Sequence, residues 1–176
     1  EVAGLVRQAQ GVDSTVLPGR PLPAFDYHAS LMSLPFIFET TLETVPSSVP
    51  YLSVPTEALH KIKLRPSKLF KVGIVWASGH ETVGVHERST RLDHFLKLLE
   101  LPQVALYSLQ VGPAICQVKE VGCEYFIQDV GQQFKDFSCT ADAIRQLDLI
   151  VSVDTAVVHL AAAMGKPVWL LLPYAA

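Results

Sequence analysis

The stretch LDLIVSVDTAVVHLAAAMGKPVWLLLP, residues 147–173, constrains the fold more than any other part of the chain. An apolar run from Asp148 to Val153 shows no alternation of apolar and polar positions. It stops at Asp154-Thr155, and an apolar helical pattern from Ala156 to Met164 follows. Gly165 then closes the helix, and a second apolar run extends from Pro167 to Leu172. Strands without alternation must be covered on both faces, as they are in parallel sheets. The unit is therefore strand–helix–strand, with a right-handed crossover.

The same logic extends upstream. Lys71–Trp76 and Val104–Leu109 read as buried strands, and Glu124–Ile127 as a short one. Leu92, Phe95, Leu96, Leu98 and Leu99 recur at helical spacing and end at Pro102. A second helix is expected over Thr140–Leu147, capped near Ser138 or Thr140. Alternating strands and helices predict an α/β fold, a Rossmann-like parallel sheet with helices on both faces. The chain is 49% hydrophobic and 18% charged, which suits such a doubly covered sheet. Residues 1–65 are less regular. Glu1–Gln10 reads as a helix stopped at Gly11, Ser14–Leu17 as a short strand, and Phe25–His28 as a strand end before the apolar LMSLPFIF. The proline-containing stretch Ser47–Pro55 reads as an extended connector. A boundary is expected near residues 63–67, giving segments 1–65 and 66–176.

Several functions are disfavoured. A net charge of −3 lacks the basic face of a general nucleic-acid binder. Cys116, Cys123 and Cys139 are odd in number and form neither a disulfide framework nor a zinc spacing, so a reducing, cytoplasmic setting is expected. No apolar run approaches the roughly 20 residues of a membrane-spanning helix. Gly165-Lys166 lacks the remainder of a Walker loop, and HETVG at His80 lacks the second histidine of a zinc helix. Neither G-x-G-x-x-G after a strand nor G-x-S-x-G occurs. The opening EVAGLVRQAQ reads as mid-helix and the chain stops just after a strand, so a fragment of a longer protein is expected.

In open α/β sheets, ligands bind beyond the carboxyl ends of the strands. The helix after Val153 begins there, and its first N–H groups lack intrahelical partners, which suits phosphate oxygens. Thr155 adds a hydroxyl, and His159 lies one turn on. A carboxylate repels phosphate, which leaves Asp154 to turn geometry or a sugar hydroxyl. A purely structural account also fits: Asp154 as helix cap and His159 as a core histidine bonded to a backbone carbonyl. The loop after the first strand carries Ser78, Gly79, His80, His86, Arg88 and Ser89. There Arg88 could pair with a diphosphate, and the backbone at Ser78-Gly79 allows close approach. A mobile polar loop is the plainer alternative.

Taken in order, FDYHASLMSLP, KVGIVWASG, ERSTRL, VALYSLQVG and FKDFSCTADAIRQLDLIVSVDTAVVHLAAAMGKPVWLLLPYA resemble a known arrangement. It is that of bacterial tetratricopeptide-repeat proteins ending in a glycosyltransferase module similar to the heptosyltransferases of glycosyltransferase family 9. The resemblance covers nearly the whole chain and is most specific from Lys71 onward. It implies the GT-B architecture, two Rossmann-like domains facing across a cleft. Residues 66–176 would be the nucleotide-sugar-binding domain, and 1–65 the end of the acceptor-side domain with its linker. By the resemblance, Thr155 and the Ala156 N–H would meet the pyrophosphate and His159 would face the cleft. Arg88 and the Ser78–His80 loop would close over the phosphates, while Gln110, Thr140 and Ala141 would approach the nucleoside. His28 is the candidate catalytic base. A nucleoside-diphosphate sugar would be the donor substrate, with no metal or other cofactor, and upstream repeats would offer a surface to a protein partner. The chain departs from the family pattern at Cys139, where an Asp is usual. It also lacks the tryptophan-rich segment that normally follows PYA. A non-catalytic nucleotide-binding or interaction module, and a nucleotide-sugar epimerase, are the alternatives.

Overall fold

The computed structural model of the chain describes residues 2–79 and 88–174. Its helices are α1 (Ala3–Val6), α2 (Leu34–Ile37), α3 (Cys116–Glu120), α4 (Phe137–Arg145) and α5 (Ala156–Ala163). Its strands are β1 (Phe70–Val75), β2 (Val104–Ser108), β3 (Ile127–Asp129), β4 (Leu149–Val153) and β5 (Val168–Leu171). They form one five-stranded sheet in the order β3-β2-β1-β4-β5. All four neighbouring pairs are parallel. The fold is thus α/β and Rossmann-like, as the apolar runs predict.

Both faces of the sheet are covered. On one, Val75, Tyr107, Leu109 and Ile150 pack with Ala141, Ile144 and Leu147 from the α4 region and with Leu160 and Ala161 of α5. On the other, Val72, Ile74, Leu106, Ile127 and Val151 pack with Leu92, Phe95 and Val118. Gly73 in the central strand makes room for this. A Cβ there would stand 2.7 Å from the Leu147 side chain and 2.9 Å from that of Ile150. α5 closes as expected. Gly165 follows it with φ +70, and the Gly165 and Lys166 N–H groups bond the Ala162 and Ala161 carbonyls at 2.9 and 3.0 Å. This paired pattern satisfies the carbonyls that a helix end leaves open. The Lys166 ammonium reaches back to the Arg145 and Leu147 carbonyls at 2.8 and 2.7 Å, capping the end of α4.

Several expectations need correction. α4 starts at Phe137, and its cap is Asp136, whose carboxylate accepts the Cys139 N–H at 3.0 Å. Thr140 therefore lies inside the helix, buried, rather than at its start. The segment Leu92–Glu100 is a 3₁₀ helix. Its best-buried residues, Leu92 and Phe95, are three apart, and three residues per turn stack them on one face. The third strand lies later than expected, because Ile127, not Glu124, is the apolar residue that pairs with Leu106.

Before β1 the described residues contain no strand. Ser14–Leu17 and Phe25–His28 are irregular, and the helix at the start covers only Ala3–Val6. A strand needs a neighbour to satisfy its backbone groups, and none lies beside these segments. Leu5 nonetheless joins the α4–α5 side of the core. Residues 50–65 are laced onto the same side. The Tyr51 and Leu52 N–H groups bond the Ala163 carbonyl, at 2.9 and 3.2 Å. Asp142, wholly buried, accepts the Ile62 N–H at 2.9 Å. The side chains of Gln133 and Gln128 accept the Lys63 and Arg65 N–H groups.

Candidate functional site

The strand order sets the place of the site. The chain steps outward from β1 to β2 and β3, then returns to the other side of β1 for β4 and β5. The crossovers part company between β1 and β4, which leaves a crevice outside their carboxyl ends. The β1 end leads into Trp76–Gly79, and the β4 end into Asp154-Thr155.

Three of the expected site residues meet here. Asp154 lies between Arg88 and His159. Its carboxylate is 3.1 Å from His159 Nε2 and 3.9 Å from the Arg88 guanidinium. The Arg88 and Asp154 side chains are about a third exposed, at 34% and 35%. His159 is 71% exposed, which removes the core-histidine account of this residue. The helix-cap account of Asp154 also fails, because the cap position belongs to Thr155 and the Asp154 carboxylate turns to His159 and Arg88.

The start of α5 is open. Thr155 has extended backbone angles at the cap position, but its side chain makes no bond to the helix. Its hydroxyl lies 3.1 Å from Ser152 Oγ, which in turn donates to the Val153 carbonyl at 2.7 Å. Ala156, the first residue of the helix, is exposed. The first turn of α5 thus has no side-chain cap, unlike that of α4.

Across the crevice, the Ser78 N–H donates to Ser89 Oγ at 3.1 Å. The Thr90 N–H donates to the Trp76 carbonyl at 2.8 Å. These bonds draw the two stems of the 78–89 loop together and set Arg88 beside Asp154. A Cβ on Gly79 would meet none of the described residues within 4 Å. His80 lies outside the described residues.

The remaining expected residues sit elsewhere. Gln110 is 4% exposed at the end of β2, with its carboxamide turned into the protein. Thr140 is buried in α4, its hydroxyl directed at the Asp136 carbonyl at 3.4 Å. His28 is exposed on the irregular segment before α2, edge-on to the Phe25 ring. Among the described residues, no group of three His, Cys, Asp or Glu side chains is placed to hold a metal ion. No helix among them is long and apolar enough to cross a membrane. Asp142 and the glutamines that fasten the linker carry no local sequence signal, because their partners lie 63 to 80 residues away along the chain.

No curated protein and no solved structure matches the chain. Residues 135–171 match the family model described as Glycosyltransferase family 9 (heptosyltransferase), so the segment from the α4 cap through β4, the open start of α5 and β5 is glycosyltransferase family 9-like.

Proposed function

We propose that the crevice between β1 and β4 receives the diphosphate of a nucleoside-diphosphate sugar, and that the parent protein transfers the sugar to an acceptor hydroxyl. The supporting observation is the meeting of Arg88, Asp154 and His159 beside the uncapped start of α5. The family 9 match spans that same helix start. The helix N-terminus favours anions through free N–H groups and the helix dipole. At 3.9 Å, Arg88 is not locked onto Asp154, and so exposed a pair is worth at most about 1 kcal/mol. The guanidinium can therefore turn to a phosphate with little loss.

In the reaction, the acceptor oxygen bonds to the anomeric carbon as the bond to the diphosphate oxygen breaks. Arg88 and the Ala156 and Val157 amides stabilise the negative charge on the leaving diphosphate. Thr155 can add its hydroxyl by turning from Ser152, and Gly79, with no side chain, lets the phosphates approach the backbone at Ser78-Gly79. The acceptor proton goes to a base, for which His28 is the candidate in this chain. Residues 66–176 form the donor side in this reading. Residues 1–65 are the trailing part of the acceptor side and linker, with upstream repeats in the parent for a protein partner.

Calorimetric titration with ADP, GDP, UDP and CDP tests the site. The chain should bind at least one of them, and Arg88→Ala should weaken that binding about tenfold or more. Thr155→Val should have a smaller effect in the same direction. Unchanged affinity in Arg88→Ala, or silence of the unaltered chain toward all four, defeats the assignment.

A further inference from the structure

The Gln110 side chain has no polar atom left for a ligand. Its Oε1 accepts the Trp76 N–H at 3.1 Å and the Ala77 N–H at 2.9 Å. Its Nε2 donates to the Ala77 carbonyl at 3.1 Å and the Val111 carbonyl at 2.8 Å. A carboxamide offers two acceptor lone pairs and two N–H donors, and all four are taken. The orientation is also fixed. A flipped amide would set Nε2 against two N–H donors and Oε1 against two carbonyls.

The surroundings hold Gln110 itself in place. Its N–H bonds Ser108 Oγ at 3.2 Å, and Gly131 packs so closely that a Cβ there would lie 2.2 Å from the Gln110 carbonyl oxygen. The end of β2, backed by the turn after β3, thus grips the backbone just where β1 hands over to the 78–89 loop. The far stem of that loop is tied to the same point through Thr90 to Trp76 and Ser78 to Ser89.

We infer that Gln110 is a positioning residue for donor binding: its carboxamide clamps Trp76-Ala77 and thereby sets the Ser78-Gly79 backbone and Arg88 at the mouth of the crevice. The inference rests on the reading of that crevice as the diphosphate site, and gives Gln110 an indirect role in place of contact with the nucleoside. Binding geometry is sensitive to displacements of about 1 Å, so a loosened clamp reaches the ligand without touching it.

Two near-isosteric replacements test this. In Gln110→Glu the carboxylate still accepts two N–H groups but meets two carbonyls with no hydrogen to offer. In Gln110→Met all four bonds are lost. Asp142→Ala serves as the comparison, since it removes a buried polar anchor on the linker side and none at the loop. Each protein is titrated with ADP, GDP, UDP and CDP, and amide hydrogen exchange is read at Trp76 and Ala77. Expected are faster exchange at both amides and about tenfold or greater loss of nucleotide affinity in the two Gln110 variants, with affinity kept in Asp142→Ala. Persistent protection at Trp76 and Ala77, or unchanged affinity despite faster exchange, overturns the clamp while the diphosphate reading stands. Equal loss of affinity in Asp142→Ala overturns it too, since any buried polar deletion would then suffice. Silence of the unaltered chain toward all four nucleotides instead removes the diphosphate reading and this inference together.

Discussion

Asp142→Ala should detach the linker from the body and lower stability by an amount the structure lets one work out. The carboxylate is wholly buried in α4, where it accepts the Ile62 N–H at 2.9 Å and pairs with Arg145 at 2.9 Å. Truncation leaves the buried Ile62 N–H without a partner, which costs about 1–3 kcal/mol. The pair with the partly exposed Arg145 adds about 0–1 kcal/mol. Removing a buried charge returns part of this through relieved desolvation. A net loss of about 2 kcal/mol follows, which for a chain of this length lowers the melting temperature by about 4–8 °C. Asp142→Asn keeps an acceptor for Ile62 and should lose about half as much. Thermal melts of the three proteins, with amide exchange at Ile62 and limited proteolysis of residues 50–65, provide the assay. The alanine variant should expose both the Ile62 amide and the linker. A melting temperature unchanged in Asp142→Ala, with Ile62 still protected, would refute the view that this carboxylate fastens the linker.

Two further predictions concern the carboxyl edge of the sheet. Gly131→Ala should cost about 1–3 kcal/mol in chemical denaturation, because its Cβ would lie 2.2 Å from a backbone carbonyl oxygen that cannot move aside; a midpoint equal to that of the unaltered protein contradicts this packing. Burial raises the pKa of Asp129 above its ordinary value of 3.8, against the lowering effect of N–H bonds from Gln132 and Gly131. A raised carboxyl pKa favours the protonated form in the fold, so its stabilising contribution is full below 3.8 and is lost as pH rises through the folded value. Asp129→Asn should therefore gain stability relative to the unaltered protein at pH 7 but not near pH 3, as read by urea midpoints; the reverse ordering contradicts the sign.

The sheet was legible because its strands are continuous apolar runs and its helices are short, punctuated segments. Gly165 marked the end of α5 correctly, since few residues but glycine tolerate the φ +70 found there. The α4 cap was misplaced. Asp136, Ser138 and Thr140 all have capping side chains, and only the path of the backbone picks Asp136. The family resemblance implied a nucleoside contact for Gln110; nothing local in the sequence shows that four backbone groups engage its carboxamide. His159 could be read as core or as site, and its exposure beside Asp154 removes the core reading.

Apolar patterning alone determined that this chain builds a parallel α/β sheet, and that Asp154, Thr155 and Ala156 fall at a strand-to-helix turn on its carboxyl edge. Such features depend on neighbours within a few residues, where side-chain period and turn chemistry act directly. The order of the strands, the crevice between β1 and β4, the approach of Arg88 to Asp154 and the fastening of the linker by Asp142 came only with the tertiary structure. These join residues 63 to 80 positions apart in the case of the linker and 66 in the case of the ion pair. Contacts at such separations follow from how the elements pack against one another, and no local pattern encodes that packing.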